Sequence, residues 1–144
     1  MNYMRYTGVV IGLTIGLPIL LGLLRHLTGI NLSTGFVAIA PALAGAMIEG
    51  QKFAVHNDRI PTRAETKSFV IVGTLIAAGF LALFTATVVT NVPGYEILLN
   101  APPSIGLIIG MFVFMILMIA LCNFLFLRMG AKNQLKAIEA GRSK

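Results

Sequence analysis

The sequence predicts an all-α membrane protein, a bundle of four transmembrane helices with both ends in the cytoplasm and a short amphipathic C-terminal extension. Three observations predict this fold class. Of the 144 residues, 57% are hydrophobic and 11% are charged, and the mean hydropathy is +0.89. Four apolar runs of membrane-spanning length divide the chain, and basic residues lie between them. A soluble fold this small has too much surface to hide so many apolar side chains.

The four spans are expected to form a single integral membrane domain, residues 1–144. A bilayer core of about 30 Å needs roughly 20 apolar helical residues. The predicted spans cover residues 6–24, 32–55, 66–90 and 104–127. Arg5 and Arg25 flank the first span, and the fourth runs without a charge up to Arg128. Residues 128–144 then form a cytoplasmic tail whose charges alternate with apolar residues, which is typical of an amphipathic helix.

Turn and capping residues support these boundaries. A short external turn, residues 29–35, separates the first two spans, and a second one is predicted from residue 91 to the fourth span. Thr62 and Glu65 have the spacing of a capping box that opens the third helix. Pro18 and Pro41 are expected to interrupt the first two helices near the middle of the membrane.

Orientation follows from the distribution of lysine and arginine, because short basic loops stay on the cytoplasmic side of a membrane. With both ends in the cytoplasm, ten of the 11 basic residues are cytoplasmic and only Arg25 is external. The opposite orientation reverses this ratio. An even number of spans also requires both ends on one side, so the two arguments agree.

A group of polar residues between the second and third spans is the candidate site, which we name the polar cluster. Its members are Glu49, Lys52, His56, Asp58, Arg59, Arg63 and Glu65. Helical spacing places Glu49, Lys52 and His56 on one side of a helix extended to about residue 56. Three interpretations remain open: an interfacial ion-pair network, a site for a ligand or anionic lipid, and a metal site.

Small residues recur every four positions on the predicted helices, a spacing that lets backbones approach closely in lipid. The candidate helix contacts are Gly8, Gly12, Gly16, Ala38, Ala42, Ala46, Gly106 and Gly110. The pattern suits packing within one bundle, and the glycines of the first helix also suit contact with another protein or a second copy. Polar residues within the spans, such as Thr74 and Asn123, are expected to bond to a backbone carbonyl or a neighbouring helix.

The sequence holds no pattern typical of a catalytic site. Gly-x-Ser-x-Gly, His-Glu-x-x-His and glycine-rich phosphate loops are missing. Cys122 is expected to be packed rather than reactive. We therefore predict no catalytic, cofactor-binding or metal-binding residues and no enzymatic activity. The net charge of +6 does not indicate nucleic-acid binding, because the basic residues lie between apolar runs instead of sharing one exposed face.

The middle loop carries the pattern G-x-x-F from Gly50, followed by R-x-P-T-x-x-E from Arg59 to Glu65. In this pattern, in length and in the four-span layout, the chain resembles a family of short bacterial inner-membrane proteins. The resemblance implies residence in a bacterial inner membrane and implies no particular activity or functional residue.

The predicted function is that of a non-enzymatic accessory or interaction subunit of a membrane complex. Its expected partners are a membrane protein or further copies of the chain, together with anionic lipid at the cytoplasmic face, which basic residues attract. The alternative is a small transporter or channel built by oligomerisation, because four spans alone barely enclose a pathway. In that case the two prolines would mark broken helices of the kind that line transport sites.

Overall fold

The computed structural model describes residues 1–29, 38–91 and 103–142, and these residues form four α-helices. Helix α1 is Tyr3–Thr28, α2 is Ala40–Asn57, α3 is Arg63–Asn91 and α4 is Ile105–Arg142. Within the described residues, α1, α3 and α4 are long and apolar enough to cross a membrane, and α2 is not among them. The fold is therefore all-helical with three helices of membrane-spanning character.

The helix ends have identifiable caps. The side chain of Asn2 accepts a hydrogen bond from the backbone N–H of Arg5 and caps the start of α1. At the other end Gly29 follows the last helical residue as the C-cap, with a φ of 70°. Glycine adopts this left-handed conformation without the steric cost of a Cβ atom. The predicted capping box at the start of α3 is confirmed: the N–H of Glu65 donates to Thr62 Oγ1, and the N–H of Thr62 donates to Glu65 Oε2.

Neighbouring helices in the chain run in opposite directions. Arg5, near the start of α1, contacts Glu49 of α2, and Arg142, at the end of α4, contacts Asp58 directly after α2. The start of α1, the end of α2, the start of α3 and the end of α4 therefore lie at one end of the bundle. We name it the basic end after the residues it carries: Arg5, Lys52, Arg59, Arg63, Lys67, Arg128, Lys132, Lys136 and Arg142.

Helix α2 lies at the centre of the bundle and is packed against the other three helices. Its buried positions are Ala40, Pro41, Ala42, Gly45, Ala46, Glu49, Gly50, Phe53 and Ala54. Most of these side chains are small, so neighbouring helices approach its backbone closely. Among its polar residues, Glu49 is buried against the neighbouring helices, whereas Lys52, His56 and Asn57 near its C-terminal end are exposed.

The closest helix contact joins α2 to α4. A Cβ atom added at Gly50 would overlap the carbonyl oxygen of Leu127, and one added at Gly130 would overlap the carbonyl oxygen of Met47. Each helix thus places a glycine against the backbone of the other. Two apolar helices in lipid gain stability from such close van der Waals packing, since they gain little from leaving lipid.

Packing is concentrated toward the basic end. Gly45 of α2 lies beside Val10 of α1. Only about 8 Å of α2 lies between this level and its first residue, Ala40. Helix α1 continues for about 27 Å in the same direction. The buried residues of α1 are Tyr6, Val10 and Thr14, all in its first half. Its second half is left with most of its apolar surface exposed to the surroundings.

The structure corrects the prediction that both prolines interrupt their helices. Pro41 lies in the first turn of α2, where a missing N–H breaks no helical hydrogen bond, so the predicted mid-membrane interruption at this residue is wrong. Pro18 lies inside α1, but the helix is continuous from Tyr3 to Thr28. The predicted tail after residue 127 is helical through Arg142 as a continuation of α4. The start of the predicted second span, most of both external turns and the last two residues fall outside the described residues.

Candidate functional site

Glu49 is the charged residue buried most deeply at the candidate site. Its side chain is 1% exposed, and its carboxylate accepts hydrogen bonds from Arg5 Nε at 2.5 Å and from the backbone N–H of Asn2 at 2.9 Å. The Arg5 side chain remains 36% exposed. A carboxylate is stable in such a setting only when it is paired and hydrogen-bonded. These two bonds fasten the start of α1 to the middle of α2.

A cleft of about 350 Å³ opens beside this pair. It is formed by the start of the chain and the C-terminal half of α2, and it is lined by Met1, Asn2, Arg5, Glu49, Lys52, Phe53, His56 and Asn57. Lys52 and His56 are exposed to it, whereas Phe53 supplies a largely buried apolar wall. The cleft combines hydrogen-bond donors and positive charge with one neutralised carboxylate, which suits an anion.

A buried polar chain joins α1, α4 and α3 next to this site. The hydroxyl of Tyr6 donates to Asn123 Oδ1 at 2.9 Å, and Asn123 Nδ2 donates to the hydroxyl of Thr74 at 3.3 Å. The expectation that Thr74 and Asn123 bond to a neighbouring helix is therefore confirmed. The ring of Tyr6 also meets Phe69 edge to face, with 5.2 Å between centroids. Tyr6 thus holds three helices together.

Replacing Tyr6 by phenylalanine is expected to destabilise the fold by about 1 kcal/mol, the usual scale of hydrogen bonds between membrane helices. The substitution keeps the ring contact with Phe69 but leaves the buried Oδ1 of Asn123 without its donor. Thermal unfolding in detergent measures the effect, with a thiol-reactive dye reporting exposure of the buried Cys122. The matched control is Tyr3→Phe, because Tyr3 stacks on the same Phe69 ring but its hydroxyl makes no such hydrogen bond among the described residues. Equal losses in both variants would contradict this role for the Tyr6 hydroxyl.

The loop between α2 and α3 is fixed by two further ion pairs. Both terminal nitrogens of Arg59 donate to Glu65, at 2.8 Å each. These hydrogen bonds to a carboxylate raise the pKa of the Arg59 guanidinium above its ordinary value. The same guanidinium lies 5.0 Å from the centroid of the Phe53 ring. Arg142 donates to Asp58 at 2.9 Å. The loop is thereby tied to α2, α3 and the end of α4.

The polar cluster is divided among separate interactions. Glu49 is buried against α1, Arg59 pairs with Glu65, and Asp58 pairs with Arg142. The remaining members, Lys52, His56 and Arg63, are exposed. Glu49, Lys52 and His56 do line one cleft, as their spacing predicts. In the described part of the chain, no three His, Cys, Asp or Glu side chains gather in a way that could hold a metal ion.

The small-residue stripes lie in two different settings. Ala42 and Ala46 are buried in α2, and Ala38 is half-buried just before it. The glycines of α1 and α4 are open: a Cβ atom at any of these positions would have no described neighbour within 4 Å outside its own helix backbone. They are Gly8, Gly12, Gly16, Gly106 and Gly110.

Three residues that build the site were missing from the predicted one. Asn2 and Arg5 come from the start of the chain, and Arg142 comes from the end of α4. The sequence carries a weak signal for Arg5, because the buried acid Glu49 requires a cation and the first span begins beside one. No local pattern links Arg142 to Asp58, since the contact depends on how two distant helices end.

This architecture is that of an all-helical protein with three helices long and apolar enough to span a membrane, in which buried polar contacts join the helices at one end. Comparison with protein-family models, with curated proteins and with solved structures finds no match.

Proposed function

We propose that the protein is a non-enzymatic interaction subunit of a membrane complex and that its α1 helix binds a spanning helix of a larger partner protein. The observation that carries this proposal is the position of Gly8, Gly12 and Gly16. At 100° per residue, these glycines lie opposite Tyr6, Val10 and Thr14, the side chains through which α1 contacts the bundle. The glycine face is therefore not used by the described part of the chain.

The way this protein packs its own helices supports the proposal. Gly50 and Gly130 bring α2 and α4 into backbone contact, which shows how small residues act in this fold. The glycines of α1 recur at the spacing that brings spanning helices together in lipid. Ile15 and Ile19, exposed beside them, supply ridges next to the shallow glycine groove. A second apolar helix fits such a face better than flexible lipid chains do.

The proposed placement is a bacterial inner membrane with four crossings and both ends of the chain in the cytoplasm. The directions of α1 and α2 support a return crossing between them, and the small residues of α2 are buried against the other helices. The basic end is the cytoplasmic one by the lysine and arginine bias. The bacterial inner membrane rests on the resemblance of the middle loop, and the membership of that family is proposed with it.

Gly12→Leu is expected to remove the partner, because a leucine side chain fills the groove that the opposing helix needs. The protein is extracted from native membranes in a mild detergent through an affinity tag. We expect the wild-type protein to co-purify with a larger membrane protein in stoichiometric amount, and Gly12→Leu to lower the recovered partner by at least about tenfold, the effect of losing some 1.4 kcal/mol.

The matched control is Gly79→Leu, because Gly79 is an equally open glycine on α3. It is expected to retain the partner. A wild-type protein recovered alone as a monomer would contradict the proposal. Recovery as a complex of identical chains that Gly12→Leu dissociates would contradict the partner assignment and favour the oligomeric transporter or channel.

A further inference from the structure

The cleft beside Arg5 has an excess of hydrogen-bond donors that the fold does not use. Arg5 bonds to Glu49 through Nε alone, which leaves both terminal nitrogens without a partner among the described residues. Lys52 likewise has no acidic partner within the described residues. The ring of His56 completes the polar wall, with Nδ1 at 3.3 Å from the carbonyl oxygen of Lys52.

The charge of the cleft is positive even with His56 neutral. Arg5 and Lys52 are two cations facing one carboxylate, and Glu49 is already neutralised by its hydrogen bonds to Arg5 and Asn2. Asp58 and Glu65, the nearby acids of the loop, pair with Arg142 and Arg59. An incoming anion therefore meets unpaired cationic donors, while the nearby carboxylates are already occupied.

The position of the cleft indicates which anion it meets. Its residues lie at the basic end, where α1 begins and where the C-terminal part of α2 extends past the start of α1. This is the level at which a bilayer presents its phosphate groups, since the apolar parts of α1, α3 and α4 extend from here in one direction. Phe53 and Met1 add apolar surface to the same cleft. A ligand with a charged phosphate and an attached apolar part matches both walls.

We propose that this cleft binds the phosphate group of an anionic phospholipid, with Arg5 and Lys52 as charged donors. A planar guanidinium with two free nitrogens is well suited to paired phosphate oxygens, and an ammonium group adds a point charge. The proposed lipid site is independent of the open glycine face of α1, because it needs no protein partner. A soluble phosphate ester shares this chemistry and is the other source to be tested.

The experiment titrates the detergent-purified full-length protein with phosphatidylglycerol and counts bound lipids by native mass spectrometry. Phosphatidylcholine, which has no net charge, is titrated in parallel, and glycerol 3-phosphate is titrated by calorimetry. We expect one saturable phosphatidylglycerol site that phosphatidylcholine does not fill. Lys52→Gln is expected to weaken it about fivefold, the effect of one cation near a lipid surface, and Lys52→Arg is expected to retain it.

The matched control is Lys67→Gln, which removes an exposed lysine at the same end of the bundle but outside the cleft. It is expected to change binding less than about twofold. Equal weakening by Lys52→Gln and Lys67→Gln would show general attraction to a basic surface and would overturn the proposal, as would the lack of a saturable site. Saturable glycerol 3-phosphate binding that depends on Lys52 would support the phosphate site and assign it to soluble esters as well. Circular dichroism of each variant checks that the helices are intact.

Discussion

Gly50→Ala is expected to destabilise the protein by at least about 3 kcal/mol, because the added methyl group overlaps backbone atoms of α4. The new Cβ atom would overlap the carbonyl oxygen of Leu127 and would lie 3.0 Å from the backbone nitrogen of Ala131. Backbone atoms inside a helix cannot rotate away, so α2 and α4 must separate. The loss is measured by thermal unfolding in detergent, with dye labelling of the buried Cys122 as the signal.

The matched control is Gly79→Ala, where a Cβ atom meets nothing within 4 Å among the described residues. Alanine favours a helix over glycine by up to about 1 kcal/mol, so this variant should be as stable as the wild type or slightly more stable. Gly130→Ala should behave like Gly50→Ala, since it meets Met47 from the other side of the crossing. A Gly50→Ala protein as stable as Gly79→Ala would show that α2 and α4 do not make this contact.

Arg5→Met is expected to cost about 3–5 kcal/mol, whereas Glu49→Gln should cost only about 1–2 kcal/mol. The asymmetry follows from burial. Removing Arg5 leaves a carboxylate that is 1% exposed without its counter-ion. Removing the charge of Glu49 leaves a guanidinium that is 36% exposed and that water can solvate. Both variants are compared with wild type by the Cys122 labelling assay.

The double variant Arg5→Met/Glu49→Gln provides the decisive comparison. It has no unpaired buried charge, and the side chain of residue 49 still accepts a hydrogen bond from the N–H of Asn2. We expect it to be more stable than Arg5→Met alone, which gives a favourable coupling between the two sites. If the two single losses simply add, Arg5 and Glu49 act independently and the ion pair is not what joins α1 to α2.

The buried ion pair also explains the unusual composition of α2. A helix with Glu49, Gln51 and Lys52 in its second half is poorly suited to lipid, and α2 lacks the apolar character of the other three helices. Its small residues let α1 and α4 approach it closely. Arg5 then neutralises the one acid that faces inward, and Lys52 remains at the surface. The one buried acid of α2 is therefore paired, and Lys52, His56 and Asn57 remain exposed.

The sequence was sufficient for the three long apolar helices and for the capping box at the start of α3, because their causes are local. Long uncharged apolar runs form helices in lipid whatever their neighbours are. Thr62 and Glu65 form a capping box because they lie three positions apart in the sequence. The same runs do not show that α2 begins only at Ala40 or that it packs against the other three helices. Those features depend on contacts with distant segments, which no local pattern of residues reports.

Composition and spacing alone determined that this protein is helical, that most of its surface is suited to lipid and that nearly all its cations flank the apolar segments. Only the tertiary structure decided which small residues are consumed by packing and which stay open, since Gly50 and Gly12 have similar spacing patterns but different neighbours. It also decided the partner of Glu49, because Arg5 is 44 residues away along the chain. Local patterns depend on near neighbours in sequence, whereas burial and ion pairing depend on which distant segments meet.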